Sequence, residues 1–177
     1  RVPARGRTQS EVPITQNKEQ NMVIETNIKQ SEFTPVSEGI VLAVNVDNAD
    51  LGSVESTYNG ETTSKHKMKF VFEVPSELTE SGKVKTIGKS FVVSLDPRSN
   101  LTGFLQSWLG ESLTPEQVRS FDLDSLIGRP AKLLVEHIQM DGREMHKIVS
   151  VQPTDENIET SGEYVRFQDR EETYPNG

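Results

Sequence analysis

The 177-residue chain sets 19 lysines and arginines against 27 aspartates and glutamates, a net charge of −8, and only 33% of its residues are hydrophobic. That length suits one domain with tails or two small domains, and the low apolar content implies that part of the chain does not pack. The absence of cysteine excludes disulfides and thiolate metal sites, no apolar run approaches the ~18 residues of a membrane span, and residues 1–30 lack the apolar core of a signal peptide, so a soluble cytoplasmic protein is expected.

Residues 1–37 read as an arm. RVPARGRTQSEVPITQNKEQ is polar, with two prolines and no period, and NMVIETNIKQSEF offers at most a short strand or edge wrap. Packing is expected over 38–153. In EGIVLAVNVDNADLG, Ile40, Leu42, Val44 and Val46 alternate with Val41, Ala43, Asn45 and Asp47, which predicts a half-buried strand. Asn59-Gly60 signals a turn, since both residues tolerate positive φ. SKHKMKFVFEVP is the second strand. It puts His66, Met68, Phe70, Phe72 and Val74 on one face and Lys65, Lys67, Lys69, Val71 and Glu73 on the other, and Pro75 ends it. SELTESGKVK is a loop. The third strand is TIGKSFVVSL, in which Ile87, Lys89, Phe91, Val93 and Leu95 share a parity and Gly88 hints at a bulge or sharp bend.

The period then changes. In SNLTGFLQSWLG, Leu101, Phe104, Leu105, Trp108 and Leu109 form one apolar helical stripe, capped by Ser99 or Asn100 and stopped by Gly110. Thr114, Pro115 and Gln117 spell a capping box for a second short helix, and DLDSLIGRP adds one more turn that breaks at Gly128. Two further strands, RPAKLLVEHIQM and REMHKIVSVQP, flank an Asp141-Gly142 hairpin turn, so residues whose numbers sum to 283 face each other. Beyond Pro153 the chain turns acidic and loses its period: residues 154–177 hold seven acidic against two basic side chains, a net −5. Three strands, a helical segment and two strands is the chain order of an OB-fold, a five-stranded curled Greek-key barrel with a helix between strands three and four. The rival is a generic α+β sandwich.

The runs YNG, KMKFVFEVP, SFVVSLDPRSNLTGFLQSWLG, FDLDSLIGRPAKLLVEH and HKIVSVQP resemble a family of small proteins encoded by bacteriophages and prophages. These are described as OB-fold and single-stranded-DNA-binding-like, or left uncharacterised. The resemblance covers roughly 38–153, and the helix followed by FDLDSLIGRP is its most specific part. Gly142 matches the glycine of the family's last hairpin turn, whereas His146 stands where the family places an aromatic residue. The resemblance implies a barrel that binds nucleic acid; the arm and the tail lie outside it.

Single-strand binders need cations along the phosphates and flat rings under the bases. Lys65, Lys67 and Lys69 share one strand face at about 7 Å spacing. Lys85 and Lys89 on the third strand and Arg143 and Lys147 on the fifth would extend that surface, and Tyr58 is the best free ring. The bland alternative is a solvated face whose lysines discourage edge pairing. Three phosphate contacts give a salt slope of only about 2. One module therefore binds weakly, and useful affinity calls for a homo-oligomer or cooperative loading. The acidic tail is expected to compete with nucleic acid for the basic face, or to recruit basic replication or recombination proteins, although EETYPNG lacks the terminal acidic-plus-phenylalanine pattern of homotetrameric bacterial single-strand binders. Within it, EYVRFQ suits either addition to a neighbour's sheet edge or collapse onto its own domain.

The 283 register puts His137 opposite His146, with Glu136 and Glu144 read as pointing away. That is too few ligands for zinc, so a polar pair that resists double protonation and loosens the hairpin below about pH 6 is expected instead. The sequence holds no G-x-S-x-G, no phosphate loop and no H-E-x-x-H, and Asp122 and Asp124 read as helix caps, so neither enzyme activity nor a cofactor is expected. The sequence thus reads as a sequence-nonspecific single-stranded-DNA-binding protein acting in phage replication or recombination. The competing class is a protein adaptor or structural module of a replisome or virion, using the barrel edge and both arms.

Overall fold

A computed structural model describes residues 33–94 and 96–170; the remainder of the arm, Leu95 and the last seven residues lie outside it. One compact unit begins at Pro35 and includes the described C-terminal residues, so the segment after residue 153 is not separate from the domain.

The fold is all-β with a small helical part. Five strands, β1 (Gly39–Tyr58), β2 (Glu61–Leu78), β3 (Val84–Val92), β4 (Pro130–Met140) and β5 (Arg143–Gln152), form one antiparallel sheet in the order β3-β2-β1-β4-β5. Helices α1 (Asn100–Leu109) and α2 (Pro115–Arg119) and a 3₁₀ turn (Leu123–Leu126) fill the β3–β4 connection. The caps are those read from sequence. Ser99 Oγ accepts from Thr102 N, Gly110 takes the left-handed C-terminal position, and Thr114 and Gln117 close a capping box.

The expected closed barrel is not formed. The sheet curls until β3 and β5 approach, but no backbone ladder joins them; the Lys89 ammonium crosses the seam and donates to the Ile148 carbonyl at 2.9 Å. The curl follows from β1, which pairs with β4 over Gly39–Val44 and with β2 over Val44–Tyr58. Val46 and Leu51 are extra residues in β1, and each extra residue bends a strand and adds twist. Asn45 holds the first bulge by donating its amide to the Asp47 and Val71 carbonyls.

Inside the curl lies a ring cluster of Phe70, Phe72, Phe91, Phe104 and Trp108, all buried. Phe70 stacks on Phe104 at 5.3 Å, and Trp108 meets Phe72 edge-on at 5.2 Å while its indole N–H donates to the Pro130 carbonyl. Some details differ from the sequence reading. The first half of β1 turns Val41 and Ala43 inward and leaves Ile40 and Leu42 exposed, because apolar residues occupy both of its parities. Pro75 does not end β2. The strand runs on to Leu78 through a register shift between Val74 and Leu78, which absorbs the missing proline N–H. Gly88 pairs regularly with Val71, and a Cβ there would press on the Phe70 carbonyl oxygen at 3.1 Å, while the end of the Lys69 side chain, which lies over it, is free to swing aside. The β4–β5 register sums to 283 from Met140–Arg143 to Val135–Ile148, then shifts by one.

The C-terminal segment is a strap on the outer face of the sheet. Glu73 and Asp47, read as solvent-facing or half-buried, are 2% and 1% exposed beneath it. Glu73 accepts from Ser161 N at 2.8 Å and from Ser161 Oγ at 2.7 Å. Asp47 accepts from Phe167 N at 2.7 Å, and from Tyr164 OH and Arg166 Nε at 3.3 Å each. Arg166 also donates to Asp124, at 2.9 Å. An acid-rich segment is therefore docked by its donors, onto carboxylates of the sheet. Of the two roles open to EYVRFQ, it takes collapse onto its own domain. Asp47→Ala takes the shared acceptor from three part-buried donors and should destabilise the protein by about 1–3 kcal/mol, read as a lower urea midpoint at unchanged m; an unmoved midpoint would refute the strap's contribution.

Candidate nucleic-acid interface

Beyond the last rung with β3, Lys67–Val92, the β1–β2 hairpin projects as a two-stranded ribbon to its tip at Asn59-Gly60. Both tip residues have positive φ, 51° and 79°, as a two-residue primed turn requires. The two bulges reset the parity of β1, so Lys69, Lys67 and Lys65 stand opposite Ala49, Gly52 and Val54. None of those partners is charged, and among the described residues no carboxylate lies within ion-pair distance of the three ammonium groups. Directly paired residues share a face, so this side of the ribbon continues through Ser56 and Thr63 to Tyr58, which is 80% exposed and pairs with Glu61, the one acid that the register puts on this side between Lys65 and the tip. The opposite side carries Glu55 and the 2.6 Å contact between His66 and Asp50. The geometry thus gathers Tyr58, Lys65, Lys67 and Lys69 on one face.

The other basic residues named from sequence do not join that row. Lys85 and Lys89 pair with Val74 and Phe70, so they turn towards the inside of the curl. The Lys85 ammonium is spent on the Pro35 carbonyl and Glu77. Lys89 spans the seam and sits 5.6 Å from the Phe91 ring centre. Burial, with the Lys147 charge as a second cause, pulls Lys89 below the ordinary lysine range. On β5, Lys147 faces Glu136 of β4, and Arg143 is exposed beside the Asp141-Gly142 turn.

A cleft of about 640 Å³ opens at the seam, between the end of β3, β5 and α1. Lys67, the middle member of the ribbon row, lines it together with Lys89.

The paired histidines are a backbone clamp. Val36 N donates to His146 Nδ1 at 2.8 Å, and the Val36 carbonyl lies 2.7 Å from His137 Nε2. Glu144, read as facing away, shares their side of the hairpin and contacts His137 Nδ1 at 3.1 Å. Residues 144 and 146 have the same parity on β5, and alternation therefore turns Glu144 to the histidine side while Glu136 faces away. Among the described residues no group of three or more histidines and carboxylates is placed to hold a metal ion, and no helix is long and apolar enough to cross a membrane.

Sequence reasoning missed Asp47, Glu73 and their strap partners. The available signal was an acid inside FVFEVP, where apolar neighbours on both faces announce burial. No protein-family model matches the chain, and no curated protein is significantly similar to it.

The two clamp histidines shift in opposite directions. His137 lies above the ordinary 6.5, first because it donates to the Val36 carbonyl, with Glu144 and Glu38 assisting. His146 lies below 6.5, first because burial penalises its cation, with His137, Lys85 and Lys69 repelling it against the pull of Glu77. A lowered folded pKa contributes stability above the unfolded value and loses it as pH falls; a raised one contributes below that value and loses it as pH rises. His137→Gln leaves His146 in control, so that variant should weaken as pH falls from 6.5. His146→Gln leaves His137 in control and should weaken as pH rises past 6.5. Urea midpoints at about pH 5, 6.5 and 8 separate the two, and parallel profiles would refute the clamp.

Proposed function

We propose that this chain is an OB-fold protein that binds single-stranded DNA with little sequence preference, akin to the phage-encoded family its motifs resemble. It covers exposed strands during replication or recombination, in the cytoplasm of a bacterial host. The observation that carries the reading is the row of Lys65, Lys67 and Lys69 opposite three uncharged residues, with Tyr58 on the same face near the tip. Cations about 7 Å apart follow the phosphates of an extended strand, and an exposed ring stacks any base. Strand order supports the fold assignment, since β1 shared between β2 and β4 and helices between β3 and β4 are the neighbour relations of that barrel.

A specific observation also favours the second reading, a protein-binding module. β3 and β5 are edge strands without a ladder between them, and an unpaired edge accepts an added strand. Glu156, Glu159 and Glu163 remain exposed along the strap and suit a basic partner among replication or recombination proteins.

A gel shift with oligo-dT decides between the two. DNA binding requires a shift that weakens between 50 and 200 mM salt, with a slope of about 2 from three lysine contacts. Joint Lys65, Lys67 and Lys69→Glu substitution should abolish it, and Tyr58→Ala should cost about 1–3 kcal/mol of binding. No shift at any salt would overturn the proposal in favour of the adaptor.

A further inference from the structure

The seam cleft has a composition unlike the rest of this acidic chain. Its described lining includes two lysines, five serines and Asn100, and no acidic side chain. Phe91 and Phe104 form its apolar wall, and the edges of β3 and β5 border it. Its volume, about 640 Å³, falls within the range of sites that enclose one small ligand or one monomer unit of a longer one. Neither lysine has a carboxylate within ion-pair distance among the described residues. Lys89 uses one of its three donors on the Ile148 carbonyl. A half-buried ammonium against an aromatic ring, with donors to spare and hydroxyls around it, selects an anion.

We infer that the cleft is a phosphodiester subsite, in which a single strand running along the lysine row turns at Lys67 and seats one nucleotide between β3, β5 and α1. This rests on the function proposed above and extends it by naming where the strand goes. Lys67 carries the continuity, since it belongs both to the ribbon row and to the cleft lining. Lys89 and Ser90 then meet the phosphate from the β3 side, and Ser107 meets it from α1. The neutral, hydroxyl-rich wall matters as much as the lysines. In a chain of net charge −8, a cavity free of acid is the place where a phosphate meets no local repulsion. Lys89 consequently acts twice, as the staple across the open seam and as the inner cation of the subsite.

The test uses an exposed position that bears no part of the core. Ser107 lies on α1 and lines the cleft, and both glutamate and arginine are good helix formers there. Full-length Ser107→Glu and Ser107→Arg variants are titrated with fluorescent dT12 by anisotropy, at 50 and 200 mM salt. One like charge at ~7 Å, at an effective dielectric between 40 and 80, should weaken binding about three- to sevenfold in Ser107→Glu. Ser107→Arg should strengthen it by a similar factor. Ser76→Glu adds the same charge at an exposed site nine residues further along β2, on the order of 30 Å from Lys67, and should leave binding within twofold.

If both Ser107 variants bind dT12 like the parent while the triple lysine variant does not, the strand bypasses the seam. The subsite is then wrong, the proposed function stands, and the seam's open edges are left to a protein strand. If the parent binds no dT12 at either salt, both inferences fall together. If Ser107→Glu and Ser76→Glu weaken binding equally, net charge alone is at work, and the subsite is again overturned.

Discussion

The five-ring cluster under the sheet is the constraint on which everything else depends. Phe70 and Phe72 from β2, Phe91 from β3, and Phe104 and Trp108 from α1 meet with centroids 4.9–6.5 Å apart. Each ring removes a large apolar area from water, and edge-on or offset contacts add roughly 0.5–1.5 kcal/mol per pair. A flat sheet cannot enclose a helix stripe this wide, so the sheet must wrap around α1. Wrapping brings its first and last strands towards each other without giving them a shared register. The seam and its lysine staple are the consequence. So is the location of any binding surface: the inward faces of β2 and β3 are spent on the core, and only the outward face, the seam and the projecting ribbon remain.

The outward face is divided in two by chemistry. At the proximal end Val44, Val71, Asp47 and Glu73 are buried beneath residues 161–170. A buried carboxylate is costly unless donors surround it, and here the donors come from the strap. The strap in turn owes its position to those acids, since among the described residues its own acidic side chains make no ion pair with the sheet. Distally, past Ala49, the strap ends and the face carries Lys69, Lys67 and Lys65 opposite uncharged residues, with Glu61 opposite Tyr58 only at the last rung before the tip. The bulge at Val46 sets this arrangement by resetting β1 so that Asp47 shares the outer face with Val71. One inserted residue thus decides whether an acid lies in the core or under the strap.

Features written in local sequence were legible. The α1 stripe with Ser99 and Gly110, the Thr114 capping box and the 141–142 turn each depend on residues within one or two turns of each other, and each appears in the structure as read. The histidine opposition followed from the same hairpin arithmetic. What failed were features set by distant partners. The parity of early β1 was ambiguous because IVLAV is apolar on both sides, and only the strap and β4 decide which side is core. Lys85 and Lys89 looked like members of a surface row, but their alternation follows Ile87 and Phe91 into the interior, where a carbonyl or a glutamate holds each ammonium. Gly88 suggested a bend, but it pairs regularly with Val71, and its tightest backbone neighbour is the Phe70 carbonyl on the adjacent strand. The strap was hardest to foresee, since a segment with no period gives no sign that 88 to 120 residues earlier two acids need its donors.

The sign of the whole molecule therefore says little about what its surface attracts. At physiological ionic strength charges more than ~8 Å apart are largely screened where exposed, so an arriving phosphate responds to its immediate neighbours and not to a total of −8. On the ribbon those neighbours are three lysines with uncharged residues across from them, and in the seam they are two lysines with serines. Part of the chain's acid is turned inward against strap donors: Asp47 and Glu73 spend their charge on hydrogen bonds that close over them. Docking the strap thus covers two carboxylates on the face next to Lys69 and gives them hydrogen-bond donors. A binding surface for a polyanion on an anionic protein requires that separation, and the strap achieves it with backbone amides, a serine, a tyrosine and one arginine.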